Sequence, residues 1–278
     1  MSVLSWLGAL LLAAAPAPVT VGYARATSQL KSDSKPALYA PMLALDGRPS
    51  TARCEGANGE GVGEGMEIGF RGDAVIDEVR ITVGDARDPE SFQTHNRIKA
   101  LELRTDERRH TFVLVDTPEP QSIKLARPIE ASRVTLEITA VTRGTGDDNA
   151  TCLTDIVFVS NGKPIVAPLV DKLGYDRGRS KLMGIWYAGA QGARDRFLEF
   201  YYDGTYRYVY RPFDPEEPGA EISGSYSFDG EWLRLSLPKK GWVEVKAAPQ
   251  PAADGGSILA LDAKALEGTL EGVWSAKP

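Results

Sequence analysis

The sequence predicts an all-β protein of two domains, a β-sandwich followed by a small antiparallel β-barrel or curved sheet. Three observations carry this. Short segments of alternating apolar and polar residues recur along the chain, separated by Gly, Pro, Asp and Asn, the pattern of half-buried strands joined by turns. No stretch sustains a helical period. Aromatic usage divides the chain: Tyr39, Phe70, Phe92, Phe112 and Phe158 are the only aromatics in 27–163, whereas 181–274 holds fifteen. Different cores imply separate domains.

The N-terminus is apolar from about Val3 to Ala15. That run is too short to cross a bilayer and suits the core of an export signal. Ala24-Arg25-Ala26 before Thr27 offers a small-x-small cut, so 1–26 is expected to be a signal peptide and the chain to be periplasmic or extracellular. No later segment reads as an integral membrane span. The net charge of −6 lacks the basic face that a nucleic-acid partner requires.

The first folded unit is expected over 30–163. Its strand-like segments include AVIDEVRITV, with Val79, Ile81 and Val83 in alternation, and Val134, Leu136 and Ile138 alternating with Arg133, Thr135 and Glu137. About eight such strands make a sandwich. Residues 164–180, rich in Pro, Gly and charge, read as a linker. The second unit, 181–275, has the same alternation. Asp203-Gly204 and Asp229-Gly230 mark two hairpins, and Tyr206, Tyr208 and Tyr210 give one strand an aromatic face. Ala247–Gly256 reads as a flexible loop.

Ordered motifs make the first unit more specific. Ala44-Leu45-Asp46-Gly47 with Thr51 is followed by Arg53-Cys54-Glu55-Gly56 and a Gly-rich run to Ile68. Then come Ser91-Phe92, Asn96-Arg97-Ile98, Asp116, Gln121-Ser122-Ile123 and Asp147-Asp148-Asn149-Ala150-Thr151-Cys152-Leu153-Thr154-Asp155-Ile156. In that order they resemble the NADase-type glycan-binding (translocation) domain, a discoidin-like jelly roll of exported bacterial proteins. The resemblance covers about 30–163. It implies that the regions of Cys54 and Cys152 meet, hence a disulfide closing about 98 residues, worth nominally ~4–5 kcal/mol. It also implies carbohydrate binding. The family usually carries Trp before the cysteine, where this chain has Arg53. The second unit, with Gly184-x-Trp186, Asp203-Gly204-Thr205-Tyr206 and Gly224-Ser225-Tyr226, is weakly similar to lipocalin-like small barrels.

The motifs have local physical readings. Gly47 supplies a positive φ to a tight turn, and Gln121 is placed to satisfy loop backbone groups. No nucleophile elbow, P-loop, dinucleotide fingerprint or zinc-protease motif occurs. Two Cys and two His without close spacing do not make a standard zinc site. His95 and His110 read as surface histidines. The oxygens of Asp147, Asp148 and Asn149 suit a sugar diol, a Ca²⁺ ion or simply a capped turn.

The expected function is therefore non-enzymatic: recognition of a glycan or surface ligand through the jelly-roll loops. Arg53, Glu55, Asn96, Arg97, Asp147 and Asp148 are the candidate binding residues. The alternatives are an assembly role with an envelope protein partner, and a carrier of a small apolar ligand in the second domain.

Overall fold

In the computed structural model the backbone hydrogen bonds sort into two sheets, an eight-stranded one and a nine-stranded one. The structure describes residues 18–32, 35, 37–167, 178–189, 195–238, 240–253, 256–261, 266, 270 and 272–276. The apolar run Val3–Ala15 and most of the expected linker 164–180 lie outside the described residues. Among the described residues no helix is long and apolar enough to cross a membrane.

The first domain is a jelly roll of β1 (Thr20–Ala26), β2 (Arg53–Cys54), β3 (Gly65–Val83), β4 (Asn96–Arg104), β5 (Arg109–Val113), β6 (Gln121–Thr142), β7 (Thr151–Ser160) and β8 (Lys163–Ile165), with one short helix, α1 (Pro89–Thr94). Strands β3 and β6 are long enough to serve both faces. They pair in three runs, with register shifts between Gly69 and Ala74 and between Ile76 and Glu78. Such irregularities bend a strand and increase its twist. The N-terminal half of β3 pairs with β1, and its C-terminal half pairs with β7. A parallel contact of β4 with β7, Asn96 opposite Thr151 and Arg97 opposite Cys152, ties the two faces at one end. The alternating apolar residues point inward as the pattern requires: Val79, Ile81, Val83, Val134, Leu136 and Ile138 are all buried in one cluster.

Strand β1 corrects the expected boundary at Ala26. Val21, Tyr23 and Ala24 are buried in the jelly-roll core, and the strand pairs with β3 from Thr20 opposite Arg71 to Ala26 opposite Met66. Tyr23 packs over Gly69, where a Cβ would come within 2.0 Å of the ring, and its hydroxyl donates to Glu67 Oε1 at 2.9 Å. The small-x-small pattern Ala24-Arg25-Ala26 is the end of a strand, not a spacer to be discarded.

The second domain is an antiparallel sheet in the order β14-β13-β12-β11-β10-β9-β17-β16-β15. Its strands are β9 (Gly184–Ala188), β10 (Arg196–Phe200), β11 (Thr205–Tyr210), β12 (Ala220–Phe228), β13 (Trp232–Leu237), β14 (Gly241–Lys246), β15 (Gln250–Pro251), β16 (Ser257–Leu261) and β17 (Gly272–Ala276). Both expected Asp-Gly turns join neighbours, with Gly204 and Gly230 at positive φ. One face from eight of the strands buries a single cluster containing Trp186, Phe200, Tyr206, Tyr208, Tyr226 and Trp274, so the sheet curls around its own side chains. The polar tips are satisfied by carbonyls, Trp186 Nε1 by Leu182 and Tyr206 Oη by Ser236. Part of the expected flexible loop Ala247–Gly256 is the edge strand β15.

The two domains meet along β1. Tyr202 donates its N–H to Gly22 O at 3.1 Å and its hydroxyl to Ala24 O at 3.3 Å. Tyr201, Tyr202 and Met183 belong to the jelly-roll core cluster. Arg71 lies over the Tyr201 ring at 4.2 Å and pairs with Asp203 at 2.8 Å.

Candidate functional site

Three loops converge at one end of the jelly roll, and each is held by a residue of the sequence motifs. In the first, Gly47 has φ +67°, and Asp46 Oδ1 accepts from Arg48 N at 3.0 Å and from Thr51 Oγ1 at 2.8 Å. This is why an acid precedes the glycine and a threonine follows four residues later. The second loop carries α1. Its cap, Asp88, accepts from Ser91 N and Ser91 Oγ, both at 2.8 Å; these bonds hold the carboxyl below its ordinary range. In the third, Gln121 Oε1 accepts from Val115 N at 2.7 Å, and Gln121 Nε2 donates to Val115 O at 2.9 Å. Arg97 makes a two-pronged contact with Asp116, at 2.9 and 2.8 Å, which lowers the Asp116 carboxyl as well.

Between these loops lies a cleft of about 710 Å³ whose walls include Pro49, Arg87, Phe92, Gln93, Glu119 and Asp155. Arg97 lies over the Phe92 ring at 5.2 Å, so the residue that fixes the third loop also steadies the aromatic wall. Arg87 donates to Asp85 Oδ2 at 2.5 Å, to Tyr39 Oη at 3.2 Å and to Ser91 Oγ at 3.2 Å. Proline at 49, 89, 118 and 120 stiffens every wall. A preformed concave surface with an aromatic side chain and a few convergent polar groups is the general form of a small-molecule site.

Asp155 is the titrating group of the cleft. Burial pushes its carboxyl up to about 6, and repulsion from Asp46 adds to the rise against bonds from the Gly47 and Ile156 backbones. The folded value lies above the unfolded one, so the folded state binds the proton more tightly. Stability from this group is therefore complete below about pH 4 and is lost as pH rises through about 6. Asp155→Asn is expected to raise the melting temperature at pH 7–8 and to change it little at pH 4. A scan of melting temperature against pH checks this, and an unchanged difference across the range would contradict it.

The six residues expected to bind ligand lie outside the cleft. Arg53 is buried and donates to Gly65 O at 3.2 Å and Ser28 O at 3.4 Å. Glu55 is buried and accepts from Thr151 N at 2.9 Å and Ala57 N at 2.8 Å. Asn96, also buried, donates to Asn149 O and accepts from Gly144 N. These three are spent on backbone groups that the loops cannot otherwise satisfy. Arg97 positions Phe92 and Asp116. Asp147 and Asp148 are exposed. Asp148 accepts from Ala150 N at 3.3 Å, as in a capped turn, and Asn149 takes a left-handed φ of +52°. Nothing in the local sequence pattern of Arg87 and Asp155 separates them from solvated loop residues.

His95 is a correction to the surface reading. It is buried, edge-on to the Tyr39 ring at 6.3 Å, between Asp85 and Asp148. The expected Cys54–Cys152 disulfide is present, joining directly opposed residues of β2 and β7 with Cα atoms 4.1 Å apart.

Strand order and motifs together define the chain's first half as a discoidin-like jelly roll, with a cleft at its loop end. The chain belongs to the NAD glycohydrolase translocation F5/8 type C domain family, whose model matches residues 19–159. That match begins one residue before β1. No curated protein matches the sequence. Among solved structures, the chain is similar to the arabinofuranosyltransferase AftD from mycobacteria, at 16% identity and a TM-score of 0.41, over 53% of this chain and 12% of that one. It is also similar to the family 32 CBM of C. perfringens NanJ in complex with galactose, at 14% identity and a TM-score of 0.36, over 50% of this chain and 98% of that one. A third similar structure is CBM32-5 of Clostridium perfringens GH89, in complex with GalNAc-beta-1,3-galactose, at 16% identity and a TM-score of 0.36, over 50% and 94%.

Proposed function

We propose that the chain is an exported, non-enzymatic carbohydrate-binding protein that takes a sugar into the loop-end cleft. The observation that carries this reading is the cleft itself: Phe92 in the wall, with Arg87, Gln93, Glu119 and Asp155 turned toward the same space. Sugar rings present apolar C–H faces to aromatic side chains and hydroxyls to charged and amide groups, and this lining offers both. The family's aromatic before the cysteine is replaced by a buried arginine, so Phe92 supplies the aromatic surface in this chain.

The test is a glycan array probed with the intact chain, with and without Ca²⁺, followed by titration of any hit. Phe92→Ala and Arg87→Ala are each expected to weaken binding at least tenfold while leaving the β-sheet circular dichroism unchanged. An array without hits, or hits insensitive to both substitutions, would overturn the assignment to this cleft.

A second reading, docking to an envelope protein, is favoured by one feature. Trp232 and Trp242 are exposed on neighbouring strands of the second domain, and β14, which carries Trp242, is the sheet edge. Edge strands and exposed tryptophans are common contact surfaces. Cross-linking through a photoreactive residue at 242 distinguishes this reading from the first.

A further inference from the structure

The charges around the loop-end cleft are unequal. Among the described residues its walls carry one cation, Arg87, and three carboxylates, Asp88, Glu119 and Asp155. Arg87 does not offset them. Its guanidinium is committed to Asp85, a fully buried carboxylate outside the lining, and to the hydroxyls of Tyr39 and Ser91. A guanidinium neutralised by a buried acid adds little net field to the space in front of it. The lining therefore presents negative charge to whatever enters.

The three carboxylates differ in what they have left to give. Asp88 caps α1 and already accepts from Ser91 N and Ser91 Oγ, so it acts mainly through its charge. Asp155 is held by the backbones of Gly47 and Ile156, with Asp46 as a second negative group beside it. Its Oδ1 is buried without a partner, so it too acts through its charge. Glu119 is exposed. Its backbone N–H donates to Thr117 Oγ1 at 3.3 Å, while among the described residues its carboxylate has no hydrogen-bond or ion-pair partner. Pro118 and Pro120 flank it. A proline fixes its own φ and holds the residue before it in extended backbone, so this carboxylate is presented from a stiff support.

Sugar rings come in three charge states: neutral, acidic with a carboxylate, and basic with a free amine. An acidic sugar would meet like charge from three walls of this cleft. An ammonium has three donors and no acceptor, and its bond to a free carboxylate is of the strong, charge-assisted kind. We propose that the cleft takes an amino sugar with a free amine, its ring against Phe92 and its ammonium on Glu119, with Asp88 and Asp155 adding charge. This rests on the carbohydrate reading and narrows it. A pH dependence follows. The charged groups around Asp155 are Asp46 beside it and Arg87, Asp88 and Glu119 in the cleft. An incoming ammonium favours the ionised form of Asp155, so binding competes with the proton that burial holds there up to about pH 6. Affinity for the amino sugar is expected to rise at least about threefold from pH 5 to pH 7.

The test titrates the full chain at pH 5 and pH 7 with tetramers of glucosamine and of galactosamine, their N-acetylated forms, and a tetramer of galacturonic acid. At pH 7 one free-amine tetramer is expected to bind at least about tenfold more tightly than its N-acetylated form, the scale of one charge-assisted bond. The acidic tetramer is expected not to bind. Glu119→Gln is expected to bring the two affinities within about threefold of each other, and Asp155→Asn to flatten the dependence on pH. Equal affinity for free-amine and N-acetylated tetramers would leave the carbohydrate reading standing and overturn the amino-sugar class. So would tight binding of the acidic tetramer, or a preference that survives in Glu119→Gln. Equal affinity for a lysine tetramer would mark bare charge attraction and overturn it as well. No binding by any tetramer removes the amino-sugar class, and an empty glycan array beside it removes the carbohydrate reading too.

Discussion

A chain that begins at Thr27 is expected to lose the cooperative fold of the first domain, whereas one that begins at Pro18 keeps it. The difference is β1 alone. Removing it strips Val21, Tyr23 and Ala24 from the core and leaves one edge of β3 without its partner from Met66 to Arg71. Loss of a buried aromatic side chain costs about 3–5 kcal/mol by itself, and the total stability of a domain is typically only 5–15 kcal/mol. The ladder hydrogen bonds and the Tyr23–Glu67 contact go with it. The damage crosses into the second domain, because Tyr202 loses Gly22 O and Ala24 O, and the Tyr201–Tyr202 turn loses the wall it packs on. Thermal melts of the two chains, followed by near-ultraviolet circular dichroism, decide the matter. A sharp transition in the Thr27 chain within a few degrees of the longer one would show that β1 is dispensable.

That prediction marks where the sequence was legible and where it was not. Alternation identified the inward residues of β3 and β6, because a period of two can bury only one face. The two Asp-Gly turns were legible for the same local reason: Gly204 and Gly230 sit at positive φ. The disulfide followed from resemblance, and the strand pairing of Cys54 with Cys152 supplies its geometry. β1 was hidden because a strand ending in small residues, directly after an apolar run, has the composition of a cleavage region. The site was half legible. Asp46, Arg97, Asp116 and Gln121 were recognisable because each makes a specific bond that holds a loop. The walls they hold, Arg87, Glu119 and Asp155, come from three loops far apart in the chain, and no local pattern brings them together.

The same distinction governs Arg53. As a ligand residue it would be exposed, and its loss would weaken binding without cost to the fold. The structure assigns it the opposite role. Its guanidinium is buried, donates to the carbonyls of Gly65 and Ser28, and is drawn down to about 10 by desolvation, partly offset by the charges of Glu55 and Glu64. Glu55, itself fully buried, counts on that positive charge. Arg53→Ala would take the guanidinium donor from Ser28 O, leave Gly65 O to the Thr27 N–H alone among strong donors, and leave a buried carboxylate without its opposing charge. The expected cost is about 3–5 kcal/mol, the usual result of removing one member of a buried charge pair. For a domain of this size that is a fall of roughly 10 °C in melting temperature. Glu55→Gln, which keeps the shape and most hydrogen bonds, is expected to cost less than Arg53→Ala. The glycan affinity of the folded Arg53→Ala protein, measured well below its transition, is expected to stay within about threefold of the parent. A variant that melts like the parent but loses its glycan would instead return Arg53 to the binding surface. It would also move the site from the Phe92 cleft toward the Cys54 loop.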